Sequence, residues 1–142
     1  MHIDWIGIVQ ILIAYALALP AGWERERHER SAGLRTFPLV AVASCGFILV
    51  ALRAFGGEGR DAESRVIQGL IGGVGFIGAG TIIHNAKRVQ GTATASSILV
   101  TGAIGMAVAF RAYDLAVLLS LLSFLTLRVF TAWKELHEPD RQ

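Results

Sequence analysis

The sequence predicts an all-α integral membrane protein, a bundle of five transmembrane helices with little mass outside the bilayer. Three observations carry this. Of its 142 residues 54% are hydrophobic and 17% charged, whereas soluble domains carry roughly a quarter charged residues. A monomeric soluble domain of this size buries only about two-thirds of the surface its unfolded chain exposes, too little to hide so much apolar area. Finally, five apolar runs approach or reach the roughly 17–25 residues that a bilayer core about 30 Å thick requires.

Those runs are approximately 6–22, 37–55, 66–83, 94–110 and 115–133, giving a transmembrane domain over 1–133 and a short cytoplasmic tail over 134–142. Ala16-Leu17-Ala18 resembles a signal-peptide cleavage site, but residues 1–4 hold no Lys or Arg. A positive n-region is missing, so an uncleaved first helix is expected. Orientation follows from the basic residues of the short connections. Arg25, Arg27, Arg30, Arg35, Lys87, Arg88, Lys134 and Arg141 share one side, and Arg53, Arg60, Arg65 and Arg111 the other. The bias of about two to one puts the N-terminus outside and the C-terminus in the cytoplasm. Trp5 and Trp23 bracket the first run about 27 Å apart, as do Phe37 and Phe55 the second, and Trp133 closes the fifth.

The same composition excludes several functions. A net charge of +2 is too mild to argue for nucleic acid. Cys45 stands alone in an apolar run, so a disulfide framework and a thiolate metal site are both ruled out. His2, His28, His84 and His137 are scattered without metal-ligand spacing. No nucleophile constellation can be assembled, and no enzymatic activity is expected.

Four segments could carry function. Past the first helix, residues 23–30 alternate in charge, with Arg25 and Glu29, and Glu26 and Arg30, four apart. Such pairs support a solvated helix, which Gly33 would end. The sharper reading is a partly buried polar cluster at the membrane boundary, because charges at that depth pair and mark ion or substrate paths. Its members are Glu24, Arg25, Glu26, Arg35 and Thr36, joined by Arg65 and Gln68 from the third helix.

The third helix carries Gly69, Gly72, Gly73, Gly75, Gly78 and Gly80. In a soluble helix each would cost about 1 kcal/mol against alanine; in lipid they let backbones approach. Gly73, Gly75 and Gly78 match the dinucleotide fingerprint G-x-G-x-x-G, but no acidic residue lies between Glu63 and Asp114 to hold a ribose. No lysine follows the glycines as a P-loop requires.

In the fourth helix Ala93, Ser97, Thr101, Gly105 and Ala109 recur every fourth residue. This ridge either packs on the glycines of helix three or, with Gln68, Thr92, Thr94 and Ser96, lines a pathway. Helices three and four are thus expected to form the packed heart. Helix five, bulky with Leu115, Leu118, Leu119, Leu121, Leu122, Phe124, Leu125 and Leu127, is expected to face lipid. Its Arg128 is expected to snorkel to the cytoplasmic interface.

Taken together, Gly22-Trp23-Glu24-Arg25-Glu26, Ala32-Gly33-Leu34-Arg35-Thr36, Arg65-Val66-Ile67-Gln68, Gly75-Phe76-Ile77-Gly78-Ala79-Gly80 and the stretch from Gly91 to Ser96 resemble the MgtC/SapB family of bacterial inner-membrane proteins. The resemblance runs from about Leu19 to Gly105. Two departures stand out. Gly91-Thr92-Ala93-Thr94-Ala95 replaces the usual Gly-Leu-Thr-Thr-Ala, removing one hydroxyl of a pair. Virulence-associated MgtC members also carry a C-terminal cytoplasmic domain, so a short SapB-like member or a membrane domain alone is expected.

The resemblance implies five transmembrane helices with an external N-terminus. It also implies a link to magnesium homeostasis and growth in low magnesium, to survival in host cells, and to restraint of the proton-translocating ATP synthase. No cofactor is expected, an association with Mg2+ being the one metal link the family brings. Two functions stay open: a regulatory membrane protein that docks its helices on a partner, and a homo-oligomeric cation channel or transporter.

Overall fold

The computed structural model describes residues 5–27, 32–56, 59–85 and 88–137. Its helices are α1 (Trp5–Glu26), α2 (Thr36–Phe55), α3 (Arg60–Ala79), α4 (Thr92–Ala109) and α5 (Tyr113–His137). Between α3 and α4 lies an antiparallel hairpin of β1 (Ile83–Asn85) and β2 (Arg88–Gln90), in register Ile83 to Gln90. By length and composition α1, α2 and α4 can each cross a membrane. Apart from that hairpin the described elements are helices, three of them candidate membrane spans. α3 differs because its opening turns carry Arg60, Asp61, Glu63 and Arg65.

The third helix departs most from the expected 66–83. It starts earlier because Asp61 and Glu63 sit in the first turn, where carboxylates complement the helix dipole. It ends at Ala79 because the backbone tightens there: Thr81 and Ile82 donate their N–H groups three residues back, to Gly78 and Ala79. The Thr81 hydroxyl caps the same Gly78 carbonyl at 2.7 Å. The hairpin then returns the chain to α4 through Gly91, whose φ of 90° is left-handed. A Cβ there would collide with the Thr81 carbonyl, so this turn needs glycine.

α4 packs against all four other helices. Its buried residues include Thr94, Ser97, Ile98, Thr101, Gly102, Ile104, Gly105, Val108 and Ala109, which cover about 160° of arc, while Ser96 and Leu99 on the opposite side are exposed. The expected ridge is therefore buried from Ser97 to Ala109 and fails at Ala93, which is exposed. The matching expectation for α3 does not hold. Val74 and Gly78 are its buried residues, and the rest of its surface is open or half-covered.

α5 also corrects its expectation. Ala116, Ser120, Ser123 and Leu127 are buried, and the helix packs on both α1 and α4. Their spacing of four, three and four draws one narrow seam along a helix. The bulky Leu115, Leu118, Leu121, Leu122 and Leu125 lie on the other side, exposed. Ser120 fixes the seam by donating to the Leu17 carbonyl at 2.7 Å.

The far end of α4 is closed by a residue from α1. Buried Gln10 donates through Nε2 to the carbonyls of Val108 and Ala109, at 2.8 and 3.0 Å. Terminal helix carbonyls lack intrahelical partners, and in a bilayer each unsatisfied group costs several kcal/mol. The chain then turns through Arg111, at φ 61°, into α5.

Candidate functional site

Two regions carry the residues singled out by sequence: the α2–α3–α4 interface and the boundary where α1 meets α2. In the first, α4 meets α2 almost backbone to backbone. A Cβ on Gly105 would run into the Ala41 carbonyl and lie 2.9 Å from Ser44 Cβ. One turn earlier, a Cβ on Gly102 would sit 3.0 Å from Val74 Cγ1 of α3. Gly78 of α3 in turn faces the Ala95 carbonyl, 3.0 Å from where its Cβ would be. Glycine is used here for close approach, as small residues are between helices in lipid.

Three hydroxyls of α4, those of Ser96, Ser97 and Thr101, are hydrogen-bonded within the helix. Ser97 donates to the Ala93 carbonyl at 2.7 Å and Thr101 to the Ser97 carbonyl at 2.8 Å. Thr94 is buried beside them, whereas Ser96, exposed, donates to Thr92 at 3.0 Å. Each of these bonds spends the hydroxyl proton on an i−4 carbonyl and leaves the oxygen lone pairs free.

The remaining glycines of α3 behave otherwise. A Cβ on Gly69, Gly72, Gly73 or Gly75 would meet nothing within 4 Å. The expected packing of these four on α4 is thus corrected: Gly78 and Val74 occupy the contact, and the glycine-rich face turns away. Gly80 belongs to the turn that ends the helix. Between α2 and α3 this leaves a groove of about 340 Å3, lined by Ser44 and Phe47 on one side and Gly69, Gly73 and Ile77 on the other. Ser44 is fully buried, and its hydroxyl has no hydrogen-bond partner among the described residues.

At the α1–α2 boundary Glu24 and Arg25 are both buried, and both interact with neighbours. The Glu26 carboxylate accepts the Leu34 N–H at 3.2 Å. A Cβ on Gly33 would strike that carboxylate, so Gly33 clears space for Glu26 as well as turning the chain. Its carbonyl accepts the N–H groups of Thr36 and Phe37, at 3.0 and 3.1 Å, which starts α2. Thr36 is half-buried and Arg35 exposed.

Arg65 and Gln68 do not join this group. Gly59 donates to the Phe55 carbonyl at 3.1 Å, so α3 starts at the far end of α2, about 30 Å of helix away from Thr36. Both side chains are exposed in the first half of α3. The charge pairs expected with Glu29 and Arg30, the Trp133 anchor, and the side chains of Lys87 and Arg88 lie outside the described residues. Arg128 is exposed and stacks over the Phe124 ring at 5.7 Å. Among the described residues no three His, Cys, Asp or Glu side chains are grouped to hold a metal ion.

The glycine-dependent contacts and the α1–α2 boundary all fall within a sequence profile for the MgtC family, which matches residues 11–136. The chain belongs to the MgtC family. It is 36% identical to SrpB of Synechococcus elongatus, over 89% of this chain and 76% of that protein. A second relative, from Escherichia coli K12, carries the name "Putative magnesium transporter YhiD"; identity is 35%, over 87% of this chain and 60% of YhiD. Protein MgtC of Salmonella typhimurium is 34% identical over 70% of this chain. The chain spans 41% of MgtC's length. No solved structure matches significantly.

Two features of these regions escaped sequence reasoning. Gln10 is a lone amide in an apolar run, and that alone could have marked it, since a buried amide must find partners. The Ala116, Ser120, Ser123 seam was visible as spacing but masked by the leucines around it.

Proposed function

We propose that this chain is a membrane-embedded regulator of MgtC type, acting in magnesium homeostasis by presenting helix surfaces to a partner and without catalysis of its own. It sits in the bacterial inner membrane with five crossings, the N-terminus outside and the C-terminus in the cytoplasm. The observation that carries the reading is the closed interior of α4. Gly105 rests on the Ala41 carbonyl, and Thr101 and Ile104 are fully buried. Work is then left to the outer faces and to the boundary around Glu24, Arg25 and Glu26. The topology is supported by the excess of Lys and Arg on the side of Arg25, Arg27 and Arg35. The partner implied by the family resemblance is the proton-translocating ATP synthase.

The second reading is a homo-oligomeric cation transporter. The open glycine face of α3 favours it, together with the name carried by YhiD. Purified protein in liposomes loaded with a Mg2+-sensitive dye separates the two. The regulator reading expects flux no greater than in empty liposomes, with the ATP synthase recovered alongside the protein from cells grown in low magnesium. Protein-dependent Mg2+ flux would replace it with the transporter reading.

A further inference from the structure

On α3, Asp61, Arg65, Gly69, Gly72 and Phe76 follow one another at spacings of four, four, three and four. At 100° per residue they fall within about 80° of arc. All five are exposed, Phe76 to 81%, so the stripe points away from the molecule's own core. Lipid alone does not account for it. The outer face of α5 is leucine, as contact with acyl chains allows, whereas glycine is a poor helix former whose value in a bilayer is close helix approach.

Beside the stripe runs the groove between α2 and α3, whose lining includes Gly69, Gly73 and Ser44; the buried Ser44 hydroxyl has no hydrogen-bond partner among the described residues. The charged end of the stripe is self-complementary: it offers an acid and a base one helical turn apart, both exposed and without an ion pair among the described residues.

We infer that this stripe is the contact between two copies of the chain, related by a twofold axis along the membrane normal. The two α3 helices then run parallel and cross at Gly69 and Gly72. Phe76 of each copy enters the α2–α3 groove of the other, filling the space beside Ser44. Asp61 of each copy lies four residues, about 6 Å of rise, from the level of Arg65 on the other, within reach of that long side chain. An isologous contact of this kind closes at two subunits. The inference deepens the proposed function and rests on its premise that α3 crosses the bilayer.

The test uses full-length protein in native membranes, in a Cys45→Ala background, with Phe76→Cys as the reporter and Leu118→Cys on α5 as the control. A bilayer-permeant bifunctional maleimide is expected to link Phe76→Cys into dimers and to leave Leu118→Cys monomeric. Gly72→Leu, which meets nothing within its own chain, is expected to lower the dimer yield by roughly tenfold while melting with its parent. Asp61→Arg is expected to lower the yield, and Asp61→Arg with Arg65→Asp to restore it. Equal linking at positions 76 and 118, or a yield that Gly72→Leu leaves unchanged, overturns the contact alone. Ready labelling of Phe76→Cys by a water-soluble maleimide overturns the buried position of α3, and with it both this inference and the five-crossing topology.

Discussion

α3 and α4 are built from similar small residues and end in opposite situations. On α4, Thr94, Ser97, Thr101, Gly102 and Gly105 are buried, Gly105 against the Ala41 carbonyl and Gly102 against Val74. On α3, Gly69, Gly72, Gly73 and Gly75 look out from the bundle. In water the two stripes would be told apart by hydrophobicity, since burial drives association there. In lipid, burying an apolar side chain gains little and contact geometry decides. Small residues therefore announce a close approach without saying whether the neighbour belongs to the same chain. α4 finds its neighbours at home, and the face of α3 leaves its neighbour to be supplied.

The comparison can be broken by substitution. Gly105→Leu should have the largest effect, because its side chain would have to displace the backbone of α2 at Ala41. Overpacking costs about 1–3 kcal/mol, occasionally more, and a backbone obstacle belongs at the upper end. Thermal melting in detergent should show a large loss of stability or a failure to fold, while Gly73→Leu on α3 melts near wild type. If both glycine variants melt alike, the two helices do not differ as described.

Gln10→Ala should come next. It removes the side-chain donor from the Val108 and Ala109 carbonyls; Val108 keeps the Arg111 N–H, so the loss falls on Ala109, and a buried group left unsatisfied costs about 1–3 kcal/mol. The same melt reads this, and Gln10→Leu should fail to rescue it, since its side chain offers no donor.

The smallest effects separate the two sides of α5. Ser120→Leu should destabilise by roughly 1–3 kcal/mol, because Ser120 is buried on Leu17. Leu118→Phe, exposed, should be nearly silent. Equal melting of these two would return α5 to a wholly lipid-facing role.

How much of this was legible follows from what sequence records. Membrane class, the five helices and the family were readable, since long apolar runs and motif spacing are local properties. Burial of Ser97, Thr101 and Gly105 on α4 was readable from the four-residue ridge. The boundary group was half-readable: Glu24, Arg25 and Glu26 share one turn of helix, but adding Arg65 and Gln68 required knowing which end of α3 meets which end of α2. The seam on α5 was lost because a wheel with many leucines gives no contrast, and hydropathy cannot rank faces in a bundle. The early start of α3 was lost because Arg60, Asp61 and Glu63 end an apolar run while favouring a helix.

The central claim is that α4 is sealed while α3 is open, and cysteine reactivity tests it most directly. In a Cys45→Ala background, Thr101→Cys and Gly75→Cys are each exposed to a small, bilayer-permeant maleimide in folded protein and again after denaturation. Gly75→Cys, whose position faces open space, is expected to react in the folded state, and Thr101→Cys, fully buried, only once the protein is unfolded. Thr101→Cys reacting in folded protein as fast as Gly75→Cys would contradict the sealed α4 and make its hydroxyls the wall of an open path.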